Sequence, residues 1–336
     1  MKALVCVEPG KLEYQNVKEP EVSKDEVLVK IKRIGICGTD LHAFEGTQPF
    51  FSYPRILGHE LTCEIIEGKD LNGCEVGDLT TFIPYFSCGK CIACRSGKSN
   101  CCADLKVCGV HVDGGMREYL TVPSYSILPT PGIEPDELAL IEPLSIGAHA
   151  VRRAEIKPGE FALVIGAGPI GLGIAEFARL EGAKVIVMDV NTSRLQFSKR
   201  MSDIIQTVMA GEDAIRAIEE LTDGDMPTVV FDATGNRKAI LEGFRYIAHG
   251  GRYVLVGLQK GEVSFSHPDF HKREAAVMSS RNATREDFET VVSAIRSKSI
   301  VPTNMITHAV RFDELGKAFP GWLDPAAGVI KAIVEL

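Results

Sequence analysis

The sequence has no run of apolar residues long enough to cross a membrane. Its longest run, from Phe161 to Ala175, contains several glycines and is shorter than the roughly 20 residues that a spanning helix needs. The first residues also lack the apolar core and cleavage pattern of a signal peptide, so we expect a cytoplasmic protein.

Long basic runs are absent as well, and the 336 residues carry a formal net charge of −8. Nucleic acids and anionic membrane surfaces are therefore not expected as partners. A zinc finger that reads nucleic acid is also disfavoured, because a recognition helix and numerous basic residues are missing. We expect a small-molecule substrate, and an anionic one would have to be held by local cations.

The chain is too long for one compact core, which predicts two domains. Short alternating strands interrupted by Gly and Pro dominate the N-terminal part, as at Glu26–Ile34 and Gly115–Pro123. This part is predicted to be β-rich, either barrel-like or a folded sheet. A mixed pattern returns near the C-terminus and ends in a predicted strand at Val329–Leu336.

The middle of the chain has a different pattern, in which apolar strands alternate with helical segments. The predicted strands are Phe161–Ile165, Lys184–Met188, Thr228–Asp232 and Arg252–Val256. Such alternation is typical of a doubly wound parallel sheet. We therefore predict an α/β protein in which a nucleotide-binding domain, residues 147–283, is inserted into a β-rich domain formed by residues 1–146 and 284–336.

A G-x-G-x-x-G motif lies between the first of these strands and the next helix. Gly166 suits a tight turn, Gly168 a close approach to pyrophosphate, and Gly171 close packing of helix on strand. The second strand is followed by Asp189, whose carboxylate would accept hydrogen bonds from ribose hydroxyls and repel a 2′-phosphate. The motif predicts dinucleotide binding and favours NAD over NADP. Arg194 either closes over the ribose or is a solvated helix residue.

Four of the ten cysteines are closely spaced, in the pattern C-x2-C-x2-C-x7-C. They are Cys88, Cys91, Cys94 and Cys102. This spacing suits a closed tetrahedral zinc site with a structural role, although Cys101 competes with Cys102 as the fourth ligand. Unbonded loop thiols, or a disulfide framework in a secreted protein, are the alternatives.

A second set of possible ligands is dispersed along the chain. It comprises Cys37, His59, Glu60 and Glu142. A thiolate, an imidazole and one or two carboxylates suit zinc with an exchangeable coordination position. Spacing alone does not separate this reading from ordinary surface or core residues.

Taken together, these features resemble the zinc-containing medium-chain dehydrogenases over nearly the whole chain. The matching segments are Gly35–Asp40 with His42, Gly58–Glu60, the Cys88–Cys102 segment, Glu142–Pro143, Gly166–Gly171 and Gly250–Gly257. The resemblance implies a GroES-like catalytic domain and an inserted Rossmann domain, with NAD and two zinc ions, one catalytic and one structural, as cofactors. Homodimers or homotetramers are common among such relatives.

The resemblance also implies roles for single residues. Cys37, His59 and Glu142 would bind the catalytic zinc, and Glu60 would be either a further ligand or a partner of bound water. Thr39 and His42 would form a proton relay towards solvent, although a capping hydroxyl and an ordinary imidazole are the plain alternatives. The cofactor would also contact a set of residues beside the glycines, namely Pro169, Ile170, Val256 and Gly257.

Within the family, Glu142 is typical of the polyol branch, where liver-type alcohol dehydrogenases have Cys. The segments Gly46–Arg55, Phe270–Glu274 and Ser279–Phe288 are similar to bacterial sugar-acid dehydrogenases that act on L-galactonate. The substrate implied is a secondary alcohol of a sugar acid, with a neutral polyol of the sorbitol or galactitol type as the alternative. Cations in these segments are candidates to bind its carboxylate: Arg55, Lys272, Arg273 and Arg281.

Two rival functions remain. NADP-linked quinone or enone reductases of the same superfamily usually lack both metal sets, and Asp189 disfavours NADP. A regulatory member of the fold without catalysis would be expected to have lost ligands such as Cys37, His59 or Glu142, and all three are present.

Overall fold

The computed structural model describes residues 1–48, 51–201 and 206–336. Pro49 and Phe50, which belong to the segment Gly46–Arg55, lie outside the described residues. Internal contacts divide the chain into two compact units, one formed by Met1–Pro143 with Thr284–Leu336 and the other by Leu144–Ala283. Among the described residues, none of the helices combines the length and apolar character needed to cross a bilayer.

The strands are numbered in chain order. They are β1 (Lys2–Glu8), β2 (Lys11–Asn16), β3 (Glu26–Ile36), β4 (Arg55–Ile56), β5 (Glu60–Gly68), β6 (Leu79–Phe82), β7 (Tyr85–Phe86), β8 (Lys106–Val107), β9 (Tyr119–Pro123), β10 (Ile127–Leu128), β11 (Phe161–Ile165), β12 (Lys184–Asp189), β13 (Gln206–Met209), β14 (Val229–Asp232), β15 (Arg252–Leu255), β16 (Ala276–Ser279), β17 (Ile306–Arg311) and β18 (Lys331–Glu335).

The α-helices are numbered in the same way. They are α1 (Gly38–Glu45), α2 (Ile92–Arg95), α3 (Pro135–Leu138), α4 (Ile141–Ala154), α5 (Pro169–Leu180), α6 (Thr192–Met201), α7 (Ala214–Leu221), α8 (Arg237–Gly243), α9 (His267–Lys272), α10 (Arg285–Arg296) and α11 (Phe312–Ala318). Short 3-10 helices lie at Ser99–Cys101, Ser124–Ser126, Pro302–Met305, Phe319–Leu323 and Pro325–Ala327.

The first unit is built around a mixed sheet with the order β10-β6-β5-β3-β18-β17, in which β9 also pairs with β3. Alternate residues of β3 point into the core, so Val27, Val29 and Ile31 are buried, as its apolar alternation predicts. The C-terminal strand β18 pairs antiparallel with β3, so the C-terminal segment belongs to the same sheet as strands from the first part of the chain.

The second unit contains a six-stranded parallel sheet with the order β13-β12-β11-β14-β15-β16. Its four central strands are mostly buried because helices connect successive strands, and Val230 and Tyr253 are fully buried. The chain enters this sheet at the central strand β11 and adds β12 and β13 on one side. It then crosses to the other side of β11 and adds β14, β15 and β16. The glycine motif lies at this point, directly after β11.

Several predicted bounds were wrong. The strand expected over Gly115–Pro123 covers only Tyr119–Pro123, because the amides of Gly115 and Met116 donate to Gly58 and Leu57 instead. The last strand is two residues shorter at its start and one at its end than Val329–Leu336. The parallel sheet also contains β13 and β16, which were not predicted because these edge strands are short and weakly apolar.

Candidate active site and zinc-binding clusters

Three side chains of the dispersed set come together in the first unit. Cys37 follows β3 and precedes α1, while His59 and Glu60 lie at the start of β5. One ligand atom from each of these three residues lies within 4.8 Å of the other two. His59 and Glu60 are buried and Cys37 is partly buried, so the cluster is accessible mainly from the thiol side.

Asp40 fixes the backbone on both sides of this cluster. Its fully buried carboxylate accepts hydrogen bonds from the amides of Cys37, at 3.0 Å, and Gly58, at 3.2 Å. Gly58 has a φ of +95°, which favours glycine, and its backbone is closely covered by Gly109. Cys37 and Gly58, the residue before His59, are thereby tied together, although they lie far apart in the sequence.

The imidazole of His59 is surrounded by negative groups. Burial acts to lower the pKa of His59, but the Cys37 thiolate and the Asp40 carboxylate outweigh it and raise the pKa well above its usual value. Its buried Nδ1 has no hydrogen-bond partner among the described residues and lies 3.8 Å from the Asp40 carboxylate. A thiolate, an imidazole and carboxylates around one point form a donor set that fits zinc.

Glu142 belongs to the first turn of α4 and is buried. It is not part of the group within 4.8 Å, and its Oε1 accepts a hydrogen bond from the hydroxyl of Tyr85. Burial, and then the charge of Glu60, raise the pKa of Glu142 to about 7 against the lowering effect of His59. The carboxyl group is thus close enough to the cluster to respond to its charges.

The sequence analysis missed two residues of this site, Tyr85 and Lys331. Tyr85 is buried. Its burial, and to a smaller extent the charge of Glu142, raise the pKa of the Tyr85 hydroxyl well above the usual value. Lys331, at the start of β18, is also buried and binds both oxygens of Glu60. Neither residue belongs to a motif, and a single Lys in an apolar strand was the only available signal for the second.

The proposed relay residues lie on α1, three positions apart. Thr39 is partly buried, whereas the side chain of His42 is 62% exposed. The Nδ1 atom of His42 lies 3.1 Å from the Thr47 hydroxyl and 3.3 Å from the Glu45 carboxylate. Among the described hydrogen bonds, none joins Thr39 to His42.

The second cluster consists of four cysteines from one segment. The ligand sulfurs of Cys88, Cys91, Cys94 and Cys102 lie within 4.8 Å of one another. Cys102 is buried and accepts the amides of Cys88 and Asp104, while Cys101 is exposed and outside the group. The geometry therefore brings Cys102, and not its neighbour, to the other three thiols.

The charges of these thiols depend on their local surroundings. Amides, first that of Ala103 and then that of Cys94, lower the pKa of Cys91 to about 6. Loss of hydration, and then the thiols of Cys91 and Cys102, raise the pKa of Cys94 to about 11. Four neighbouring thiols repel one another when all are ionised, and a cation between them offsets this repulsion. The donor set therefore fits a structural zinc ion.

In the second unit, the glycine motif forms the turn between β11 and α5. Gly166 has a φ of +103°, and a Cβ atom at Gly171 would lie 1.8 Å from the carbonyl oxygen of Gly166. A Cβ atom at Gly168 would meet nothing within 4 Å, so space for a ligand lies above it. Pro169 and Ile170 are the first residues of α5, and the amides in the first turn of a helix can bind a phosphate, although Pro169 itself has none.

Asp189, the last residue of β12, points towards this turn. Its carboxylate oxygens accept the amides of Ala167, at 2.7 Å, and Asn191, at 2.8 Å. Each oxygen keeps a further lone pair for a ribose hydroxyl. Arg194 lies two residues into α6 and is partly buried.

A neighbouring loop follows β15 in the same sheet. The amides of Val256 and Gly257 both donate to the carbonyl oxygen of Asp232, at 2.9 Å. A Cβ atom at Gly257 would lie 2.1 Å from the amide nitrogen of Gly235, which explains the glycine at this position.

One of the four candidate carboxylate-binding cations lies in the first unit and three lie in the second. Arg55 belongs to the first unit, where its guanidinium lies 3.3 Å from the Asp113 carboxylate and 3.0 Å from the Ser52 hydroxyl. The others belong to the second unit. Lys272 is paired with Asp269 at 3.2 Å, Arg273 donates to the carbonyl oxygen of Asp269, and Arg281 is exposed.

Comparisons with known proteins agree with this architecture. Residues 23–132 match the family model of the alcohol dehydrogenase GroES-like domain, and residues 169–297 match that of the zinc-binding dehydrogenases. The chain is 46% identical to L-galactonate-5-dehydrogenase of Escherichia coli, over 95% of this chain and 94% of that protein. It is 32% identical to a sorbitol dehydrogenase of Halalkalibacterium halodurans, over 95% of each chain.

Solved structures of related proteins have the same fold as this chain. A crystal structure of an Escherichia coli alcohol dehydrogenase with NADH superposes with a TM-score of 0.92 at 29% identity, covering 100% of this chain and 99% of the other. The GroES-like and Rossmann fold, the dehydrogenase class and the zinc dependence, which the sequence predicted, are confirmed. The chain is an oxidoreductase that belongs to the zinc-binding alcohol dehydrogenase family.

Proposed function

We propose that this protein is an NAD-linked dehydrogenase that oxidises a secondary alcohol of a sugar acid such as L-galactonate. The observation that carries the reaction class is the buried cluster of Cys37, His59 and Glu60, with Glu142 beside it. The substrate is inferred from the 46% identity to L-galactonate-5-dehydrogenase. Oxidation of the alcohol to a ketone transfers a hydride to NAD⁺ and releases one proton.

In this proposal Cys37, His59 and Glu142 hold the catalytic zinc, and Glu60 either joins them or orients water. A zinc ion in such a site acts as a Lewis acid that favours deprotonation of an alcohol near neutral pH. Asp40 holds the turns that carry Cys37 and His59 in place, and Tyr85 restrains one oxygen of Glu142. Thr39 and His42 are proposed to carry the released proton towards solvent.

The remaining assignments follow the same reasoning. The residues 147–283 are proposed to bind NAD, with Asp189 accepting the ribose hydroxyls, Arg194 beside them, and Val256 and Gly257 near the nicotinamide end. Residues 1–146 and 284–336 are proposed to form the catalytic domain, with the structural zinc on Cys88, Cys91, Cys94 and Cys102. A reducing cytoplasm would keep these thiols available for metal, and a homodimer or homotetramer is the assembly we expect.

A neutral polyol is the second candidate substrate. Two of the cations proposed to bind a carboxylate already have carboxylate partners, Arg55 with Asp113 and Lys272 with Asp269. A neutral substrate would need no further cation, and a relative in the sorbitol dehydrogenase group supports this alternative.

The test is competitive kinetics followed by NADH absorbance. We expect kcat/KM for L-galactonate to exceed that for the corresponding hexitol, and Arg55→Met, Lys272→Met, Arg273→Met and Arg281→Met to identify the cation responsible for the preference. A hexitol preference in the wild type would contradict the sugar-acid proposal and favour a polyol dehydrogenase.

A further inference from the structure

A buried ion pair lies directly beside the candidate metal ligands. The ammonium group of Lys331 is 2.7 Å and 2.6 Å from the two oxygens of Glu60, and 3.1 Å from the carbonyl oxygen of Ile36. Lys331 is 2% exposed and Glu60 is fully buried. All three donors of the ammonium group are therefore used, two of them on one carboxylate.

The sheet order explains why these groups meet. Strands β5, β3 and β18 are neighbours, with Glu60 opposite Gly35 and Ile36 opposite Ala332. A Cβ atom on Gly35 would lie 2.2 Å from Glu60 Oε2, so the carboxylate occupies the space that a side chain would fill. The position of Glu60 is thus set by the backbone on one side and by Lys331 on the other.

The number of available ligands makes this restraint significant. Cys37, His59 and Glu60 form the described group, and the proposed function adds Glu142 as a fourth ligand, so together they would close a tetrahedral zinc site. A catalytic zinc needs one position for substrate or water. Glu60 is within reach of Cys37 and His59, but both of its oxygens accept hydrogen bonds from the Lys331 ammonium group, whose charge competes with a metal for this carboxylate, whereas one oxygen of Glu142 is bound to Tyr85.

We propose that Lys331 is a positioning residue that keeps one coordination position of the catalytic metal open by withholding the Glu60 carboxylate. This inference rests on the proposed catalytic metal site. It predicts that loss of the lysine charge releases Glu60 to the metal and closes the site. A merely structural ion pair would affect folding and stability without changing the metal's ligands.

The experiment uses holoenzyme in which Co²⁺ replaces the catalytic zinc, because the visible absorption of Co²⁺ reports its ligands and geometry. Lys331→Met should change the spectrum, slow the release of the metal to a chelator, and lower kcat by about 10- to 100-fold. Lys331→Met/Glu60→Gln should return the spectrum and the rate of metal release towards the wild type, and Lys331→Arg, which keeps the charge, should leave both close to it.

Glu60→Gln alone should leave the Co²⁺ spectrum unchanged, since Glu60 is not a ligand while Lys331 holds it. A spectrum altered by Glu60→Gln, or a double variant that behaves like Lys331→Met, would overturn the inference. If Lys331→Met fails to fold, the Glu60→Gln spectrum decides the question by itself. A wild-type protein that takes up no metal at Cys37 and His59 is a different result, which would overturn the proposed function.

Discussion

The two clusters of potential zinc ligands differ in how the chain assembles them. The four cysteines of the Cys88–Cys102 segment come from fifteen consecutive residues, carry only sulfur ligands and have no carboxylate in the group. The other cluster combines Cys37 after β3 with His59 and Glu60 at β5, and its surroundings include Glu142 on α4 and Lys331 on β18.

This difference bears on function. A closed set of four like ligands suits a metal that stabilises a loop, whereas a mixed and partly restrained set suits a metal that exchanges a ligand. The first cluster needs only local turns, whereas the second needs the pairing of strands β5, β3 and β18. We therefore expect mutations in the first cluster to affect stability and those in the second to affect turnover.

The largest effect is expected for Cys37→Ser. Loss of the thiolate should remove the catalytic metal and lower kcat/KM by about a thousandfold or more, since metal catalysis contributes several kcal/mol. Steady-state kinetics measure this, while circular dichroism and NADH binding should stay near wild type. Cys63→Ser is the matched control, because this buried thiol donates to Thr80 and is not a ligand. A fully active Cys37→Ser enzyme would contradict the catalytic role given to the cluster of Cys37, His59 and Glu60.

The next effect concerns the neighbouring cysteines of the local cluster. Cys102→Ser should lower the melting temperature by about 10 °C or more, because structural zinc contributes several kcal/mol of folding free energy. Cys101→Ser should leave it nearly unchanged, since the Cys101 thiol is exposed and outside the group. Scanning calorimetry with zinc analysis checks both variants. Equal losses in the two variants would show that the fourth ligand is wrongly assigned.

A change outside both clusters should alter cofactor choice without altering either metal. In Asp189→Ser/Val190→Arg, a carboxylate is replaced by a nearby cation at an exposed position. The ratio of kcat/KM for NADP to that for NAD should rise by about 10- to 100-fold, because the 2′-phosphate then meets a guanidinium.

Val190→Arg alone is the control for the added charge, and zinc content should stay constant in both variants. A wild-type enzyme that already prefers NADP would contradict the role given to Asp189.

The smallest effect is the pH dependence of thiol reactivity after zinc removal. The pKa of Cys91 is lowered to about 6 and that of Cys94 raised to about 11. Alkylation of Cys91 should therefore rise with pH through about 6 and level off, whereas that of Cys94 should still increase above pH 9. At pH 7 Cys91 should react at least about tenfold faster. Peptide mass spectrometry after a brief iodoacetamide pulse measures both rates, and equal rates would contradict the assigned pKa directions.

Features set by local sequence could be predicted well. The spacing of Cys88, Cys91 and Cys94 and the glycines Gly166, Gly168 and Gly171 correspond to turns formed within a few residues. The predicted strand Phe161–Ile165 has the bounds of β11, and the other three predicted strands of this sheet each differ from the observed strand by one residue at one end. In these cases the steric and hydrogen-bonding requirements act between residues that are close in the sequence. A local sequence pattern therefore indicates them.

Features set by distant contacts could not be predicted. The spacing favoured Cys102 as the fourth ligand of the local cluster but left Cys101 open, because the choice depends on which thiol the loop buries against the amides of Cys88 and Asp104. The pairing of Lys331 with Glu60 depends on the register of three strands, and the sequence separation of 271 residues gives no sign of it. The contact of Tyr85 with Glu142 likewise requires the packing of β7 near the start of α4.

Stepwise removal of zinc from the wild-type enzyme tests the distinction between the clusters most directly. Zinc release to a chelator, dehydrogenase activity and melting temperature are followed on the same samples. We predict two phases: the first releases about one zinc ion per chain with loss of activity at nearly constant melting temperature, and the second releases the other with loss of stability. Activity that survives the first phase, or a simultaneous loss of activity and stability, would contradict the assignment of one catalytic and one structural site.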